Sequence, residues 1–142
     1  MAEFMSGLWK NLTNGDIWRM WPESGWDPIY GITSKTGYLD NTPLKDLMIN
    51  LLSTHDGIQK KVIASATDIL NGVYRSYRLH EFDQSNHEMI ASAITGSAAM
   101  PFVFPPMNMS KFGFDDYLMD GGTTWNNNMV TGVEECLKIP GI

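Results

Sequence analysis

Two hydrophobic periods alternate between residues 42 and 137, and that alternation constrains the fold more than any other feature. Leu44, Leu47, Met48, Leu51 and Leu52 recur at i, i+3, i+4, i+7 and i+8, one buried stripe on a helix. Thr42 is placed to cap that helix, and Pro43 suits its first position. Lys61 to Ile69 then reads as a strand, with Val62, Ile63, Ala64 and Ala66 suited to a sheet interior. Asn71-Gly72 can take positive φ, so Val73 to Leu79 is expected to return as the second strand of a hairpin. Ser85-x-x-Glu88 has capping-box spacing ahead of Met89, Ile90, Ala93 and Ile94, a helix expected to stop near Pro101. Tyr117-Leu118-Met119 reads as a short strand. Met129, Val130, Val133, Cys136 and Leu137 form a last buried stripe, ending before Pro140-Gly141. Helices and strands in this order define an α/β class.

The amino-terminal third is less regular. Phe4, Met5, Leu8, Trp9 and Leu12 fall at helical spacing within residues 2–12. Residues 13–40 are broken by Asn14-Gly15, Pro22, Ser24-Gly25, Pro28 and Gly31, so they read as a loop. Trp9, Trp18, Trp21, Trp26 and Tyr30 fall in or beside that loop and would pin it by aromatic packing, a lipid- or ligand-contacting flap being the alternative.

Composition removes several function classes. With 142 residues, 43% of them hydrophobic, the chain can bury one core, and disorder is excluded. Sixteen acidic residues against ten basic ones give a net charge of −6, the wrong balance for a partner built of phosphates. Nucleic acid is therefore not an expected partner. Charged residues interrupt every apolar stretch before the roughly 18 residues that a spanning helix needs. No basic segment followed by an apolar run opens the chain, so a cytoplasmic or peripheral-membrane location is the expectation. The single cysteine, Cys136, cannot form an intrachain disulfide and reads as inert core. The ten methionines read as soft core filling.

Chemistry concentrates at Asp120. A carboxylate at the end of a strand, followed by Gly121 and Gly122, sits where open sheets place their ligand crevices. The plain alternative is an Asp-Gly turn joining strand to helix. Asp115, Asp116 and Asp120 lack the oxygen spacing of a calcium loop and read as a solvated acidic stretch. His55, His80 and His87 show no metal-ligand spacing, so neither a metal nor a cofactor is expected. No phosphate loop, dinucleotide fingerprint or G-x-S-x-G elbow occurs; Gly96-Ser97 lacks the second glycine.

Taken in order, several segments resemble one family. Ala91-Ser92-Ala93-Ile94, Ser97-Ala98-Ala99-Met100-Pro101, Phe104-Pro105-Pro106, Asp120-Gly121-Gly122 and Asn126 are similar to the patatin-like phospholipases. So are Gly37-Tyr38-Leu39-Asp40-Asn41-Thr42-Pro43-Leu44 and the run from Lys61 to Ile69. The resemblance implies a three-layer α/β/α sandwich and a Ser-Asp dyad that hydrolyses fatty acyl esters of lipids without histidine. Asp120 would be the dyad aspartate, Gly121, Gly122 and Asn126 would complete its motif, and Phe102, Phe104 and Pro105 are candidates for an acyl wall. The family's glycine-rich oxyanion loop and nucleophile elbow would lie upstream of everything quoted. Residues 1–142 are accordingly expected to be a partial catalytic domain, with the first strand and the elbow absent. The substrate would be a phospholipid or acylglycerol, met at a membrane or lipid droplet. A non-catalytic lipid-binding or regulatory module is the rival expectation.

Overall fold

The computed structural model describes residues 2–25, 29–55, 57–125 and 127–139. Trp26, Pro28, Asn126 and Pro140-Gly141 lie outside them, as do the side chains of Phe4 and Met5. Among the described residues the α-helices are α1 (Ala2–Asn11), α2 (Tyr30–Ser34), α3 (Thr42–Thr54), α4 (His87–Ser97) and α5 (Met129–Leu137). The strands are β1 (Ile63–Asp68), β2 (Val73–Arg78), β3 (Met107–Asn108) and β4 (Tyr117–Asp120). They make one four-stranded sheet in the order β2-β1-β4-β3, and every pairing in it is antiparallel. The α/β class is as expected. Among the described residues, no helix is long and apolar enough to cross a membrane.

The hairpin forms because Asn71-Gly72 turns the chain, with Gly72 at φ 64°, so that Ser65 lies opposite Ser76 and Thr67 opposite Tyr74. Alternation then gives the two sheet faces different chemistry. Ala64, Ala66 and Tyr77 join Leu118 of β4 in a core closed by Leu52 of α3 and Ile90, Ala91 and Ala93 of α4. Ile63, Ser65, Thr67, Tyr74, Ser76 and Arg78 occupy the alternate positions. The Met109 side chain is fully buried in this core, whereas Met20, Met100 and Met129 are exposed, so soft packing accounts for only part of the methionine content.

Helix starts depart from the expected caps by one or two residues. Thr42 is the first residue of α3 and caps nothing; instead the buried Asp40 carboxylate accepts its N–H at 2.9 Å and its hydroxyl at 2.5 Å. Arg19 holds the other carboxylate oxygen at 2.7 Å and bridges to the Asp40 backbone. Burial pushes the Asp40 carboxyl up, but the bonds from Thr42 and Arg19 outweigh it and leave the group below its ordinary value. In α4, Asn86 is the cap, accepting from Met89 N–H at 3.1 Å. Ser85 is turned away onto Asp83, and Glu88 pairs with Lys45 and Lys111. The helix ends at Ser97, short of Pro101. The segment 13–40 is more ordered than its composition implied. It contains α2 and two turns of 3-10 helix, and Trp21 donates its indole N–H to Gly37 O at 2.9 Å.

The largest correction concerns α5. Its apolar stripe faces outward, with Met129, Val130, Val133 and Leu137 half exposed or more and Cys136 exposed. Thr131 and Glu135 make the inner face. Asp116 also departs from expectation. It is buried, accepts the Tyr77 hydroxyl and pairs with Arg75 at 3.1 Å.

Candidate active site

Asp120 stands at the carboxyl end of β4, in the middle of the sheet, opposite Ala66 of β1. The chain then enters a turn of 3-10 helix, Gly121–Thr123, as the two glycines predicted. Asp120 is the cap of that turn: its Oδ1 accepts the Gly122 N–H at 2.8 Å. Gly121 has a specific steric reason to lack a side chain. A Cβ there would lie 2.5 Å from Ser65 O, inside the backbone of β1. The backbone N–H of Asp120 donates to Ala99 O at 2.9 Å, so the strand end is tied to the chain leaving α4. Thr123 Oγ1 closes the turn by donating to Asp120 O at 2.7 Å. The carboxylate is therefore held by backbone geometry, and among the described residues its Oδ2 accepts no hydrogen bond.

The carboxylate opens onto a cleft of 340 Å³ lined by Ile63, Ser65, Tyr74, Ser97, Asp120, Gly121, Gly122, Trp125, Asn127 and Asn128. Ser65, Ser97 and Asn128 were missed in the sequence, although an asparagine before a helical stripe is a capping signal. Asn128 caps α5 through the Thr131 N–H at 3.2 Å. It also donates to Ser65 Oγ at 2.8 Å and Ser76 Oγ at 2.7 Å, fixing the cleft floor. Ser97 donates to Ser65 O at 2.6 Å. Trp125 forms the rim, its ring tilted against Tyr74 at 6.2 Å, while the Tyr74 hydroxyl donates to Trp125 O. No histidine lines the cleft among the described residues.

The three acyl-wall candidates sit apart from this cleft. Phe102, Phe104 and Pro105 do not line this cleft among the described residues. They pack beside residues 37–39 instead: Tyr38 and Leu39 donate their N–H groups to Phe102 O and Val103 O, and Gly37 lies against Pro105. Phe104 is buried, but Phe102 is 81% exposed and sits at φ 66°, a left-handed conformation costly for a bulky residue. Asn126 lies outside the described residues.

One further cluster resembles a cation site. His80, Glu81 and Glu135 present ligand atoms within 4.8 Å of one another. Glu135 is already engaged: Arg78 donates at 2.7 Å and Lys138 binds the same oxygen, while Lys61 reaches the other at 3.5 Å. A divalent cation would have to displace these positive groups, so the donor set fits an ion-pair hub and no metal.

Residues 1–133 match the family of patatin-like phospholipases. This match over nearly the whole chain places the protein in that family, whose members are lipid acyl hydrolases. Neither the curated proteins nor the solved structures yielded a match.

Proposed function

We propose that this chain belongs to a lipid acyl ester hydrolase in which Asp120 is the general base of a Ser-Asp dyad. One observation carries the reading. The carboxylate is anchored through Oδ1 by the Gly122 N–H and turned into a cleft that no described histidine lines. The serine would come from a G-x-S-x-G elbow outside these 142 residues, on a first strand that would complete a three-layer sandwich. Asp120 Oδ2 would take the serine proton as the hydroxyl oxygen attacks the acyl carbonyl. It would return that proton to the departing alcohol, and water would then cleave the acyl-enzyme by the same route. The substrate would be a phospholipid or acylglycerol presented by a bilayer or a droplet.

A specific observation favours the rival reading, a lipid-binding module without chemistry. Neither serine in the cleft touches Asp120: Ser97 spends its hydroxyl on Ser65 O, and Ser65 accepts from Asn128.

Hydrolysis of a short acyl ester separates the two. The 142-residue chain should be inactive, and a form carrying an upstream G-x-S-x-G should be active. In that form Asp120→Asn should lower kcat by about 10²–10⁴-fold, the worth of a positioned base. His55→Ala, His80→Ala and His87→Ala should each retain most of it. Survival of activity in Asp120→Asn would reject the dyad, and loss with a histidine variant would put a triad in its place.

A further inference from the structure

Helix α5 has inverted polarity. Thr131 and Glu135 point inward, while Met129, Val130, Val133 and Leu137 are 64%, 50%, 53% and 70% exposed. Apolar rows of this kind on a monomer surface mark contact sites. The row is not free to roll inward. Asn128 and Thr131 hydrogen-bond Ser76, and Glu135 is gripped by Arg78, so the outward face is fixed by its polar underside. It is also continuous with the cleft, because Asn127 and Asn128 line the cleft and lead directly into α5. Trp125 adds a 53% exposed indole at the same rim.

Charge selects the occupant. A chain of net charge −6 is repelled by an anionic surface, and α5 exposes Glu134, with Lys138 just past its end, rather than a basic row. An apolar helix face with an indole beside it enters the interface of a lipid layer by area, without needing counter-charge. We propose that the outer face of α5, continued by Trp125, seats the protein on a zwitterionic or uncharged lipid surface with the Asp120 cleft opening at the lipid boundary. The helix lies in the plane of that surface, about 13 Å of apolar contact at 1.5 Å per residue. The inference rests on the lipid-hydrolase reading for why the cleft should face lipid. Its evidence, the roll of α5, is separate.

The test is flotation with phosphatidylcholine vesicles, together with a fluorophore on Cys136, the single cysteine, which is exposed on the same helix. The protein should float with the vesicles and stay bound when ionic strength is raised to about 0.5 M, where surface charge effects are screened. Val133→Asp and Leu137→Asp should each lower the bound fraction at least about fivefold. Ile32→Asp, an exposed apolar position on α2, should leave it unchanged. The fluorophore should shift to shorter wavelength on binding, a readout that does not depend on the variants folding. Absence of flotation, equal flotation of the aspartate variants, or binding confined to phosphatidylserine vesicles and lost in salt would overturn the proposal. So would a dimer that Val133→Asp dissociates without any vesicle binding. A Cys136 that resists labelling in the native protein would mean that another part covers this face, with the same consequence. Asp120→Asn should float as wild type, so a failed dyad and a failed surface give different results.

Discussion

Gly121 offers the sharpest test of how the carboxylate is held. In Gly121→Ala the new methyl would meet Ser65 O at 2.5 Å and Ser65 C at 2.9 Å. Both are backbone atoms of β1, paired on one side with β2 and on the other with β4, so neither can swing aside as a side-chain tip would. Relief requires β4 and the turn to move off β1, and overpacking of this kind costs about 1–3 kcal/mol. A domain of this size loses roughly 4 °C of Tm per kcal/mol, which places the variant about 4–12 °C below wild type. Gly132→Ala is the internal control. Nothing lies within 4 Å of its Cβ position inside α5, so it should gain up to about 1 kcal/mol from helix propensity. Thermal unfolding followed by circular dichroism reads both. If Gly121→Ala melts with the wild type, β1 and the Asp-Gly-Gly turn are not packed as described, and the placement of Asp120 falls with them.

Two polar groups give further expectations. Tyr77→Phe removes the hydroxyl that the buried Asp116 carboxylate accepts; it should cost about 1–3 kcal/mol in urea unfolding, since a buried acceptor loses its donor. Burial and the Asp116 carboxylate raise the Tyr77 phenol above its ordinary value, so no phenolate should appear on titration up to pH 10. Glu135 is held down to about 2 by Lys138 first and then Arg78, against burial, from an ordinary 4.5. A depressed folded-state value means its stabilisation is complete above pH 4.5 and disappears as the pH falls toward 2. Wild type should lose stability across that window in acid titration, and Glu135→Gln should be less stable near neutrality and flatter below.

What was legible in the sequence was whatever a single period or a single turn determines. Asn71-Gly72 specifies its hairpin alone, and Tyr117 to Asp120 followed by two glycines specifies a strand ending in a turn. Caps were harder because neighbours compete. Asp40 and Thr42, or Ser85 and Asn86, can each satisfy the first N–H groups of a helix, and the winner depends on distant partners such as Arg19. Asp116 read as solvated because its partners, Tyr77 and Arg75, lie on another strand some forty positions earlier. The place of Phe102, Phe104 and Pro105 depends on residues 37–39, a pairing that no local pattern announces. Asp120 was visible because its geometry is made locally, by the glycines that follow it.

The roll of α5 shows why periodicity alone cannot assign a buried face. Its pattern gives a stripe but leaves the direction open, and the sheet beneath decides. The alternate residues of β1 and β2 opposite the core are Ile63, Ser65, Thr67, Tyr74, Ser76 and Arg78, a surface whose one aliphatic side chain, Ile63, already lies beside Gly132, Cys136 and Ile139 and leaves little apolar area for Val133 or Leu137. Turning the stripe inward would gain at most about 1.5–3 kcal/mol for each side chain, and only against apolar neighbours, of which β1 and β2 offer Ile63 alone among aliphatic side chains on this face. It would strand Arg78, Ser65 and Ser76 without Glu135 and Asn128, and an orphaned buried charge or acceptor costs about 1–3 kcal/mol or more each. The polar assignment wins on this sheet. The residues that make Ser65 and Ser76 a polar floor for the cleft thus also turn the apolar side of α5 outward, and the cleft and the exposed stripe beside it have one cause.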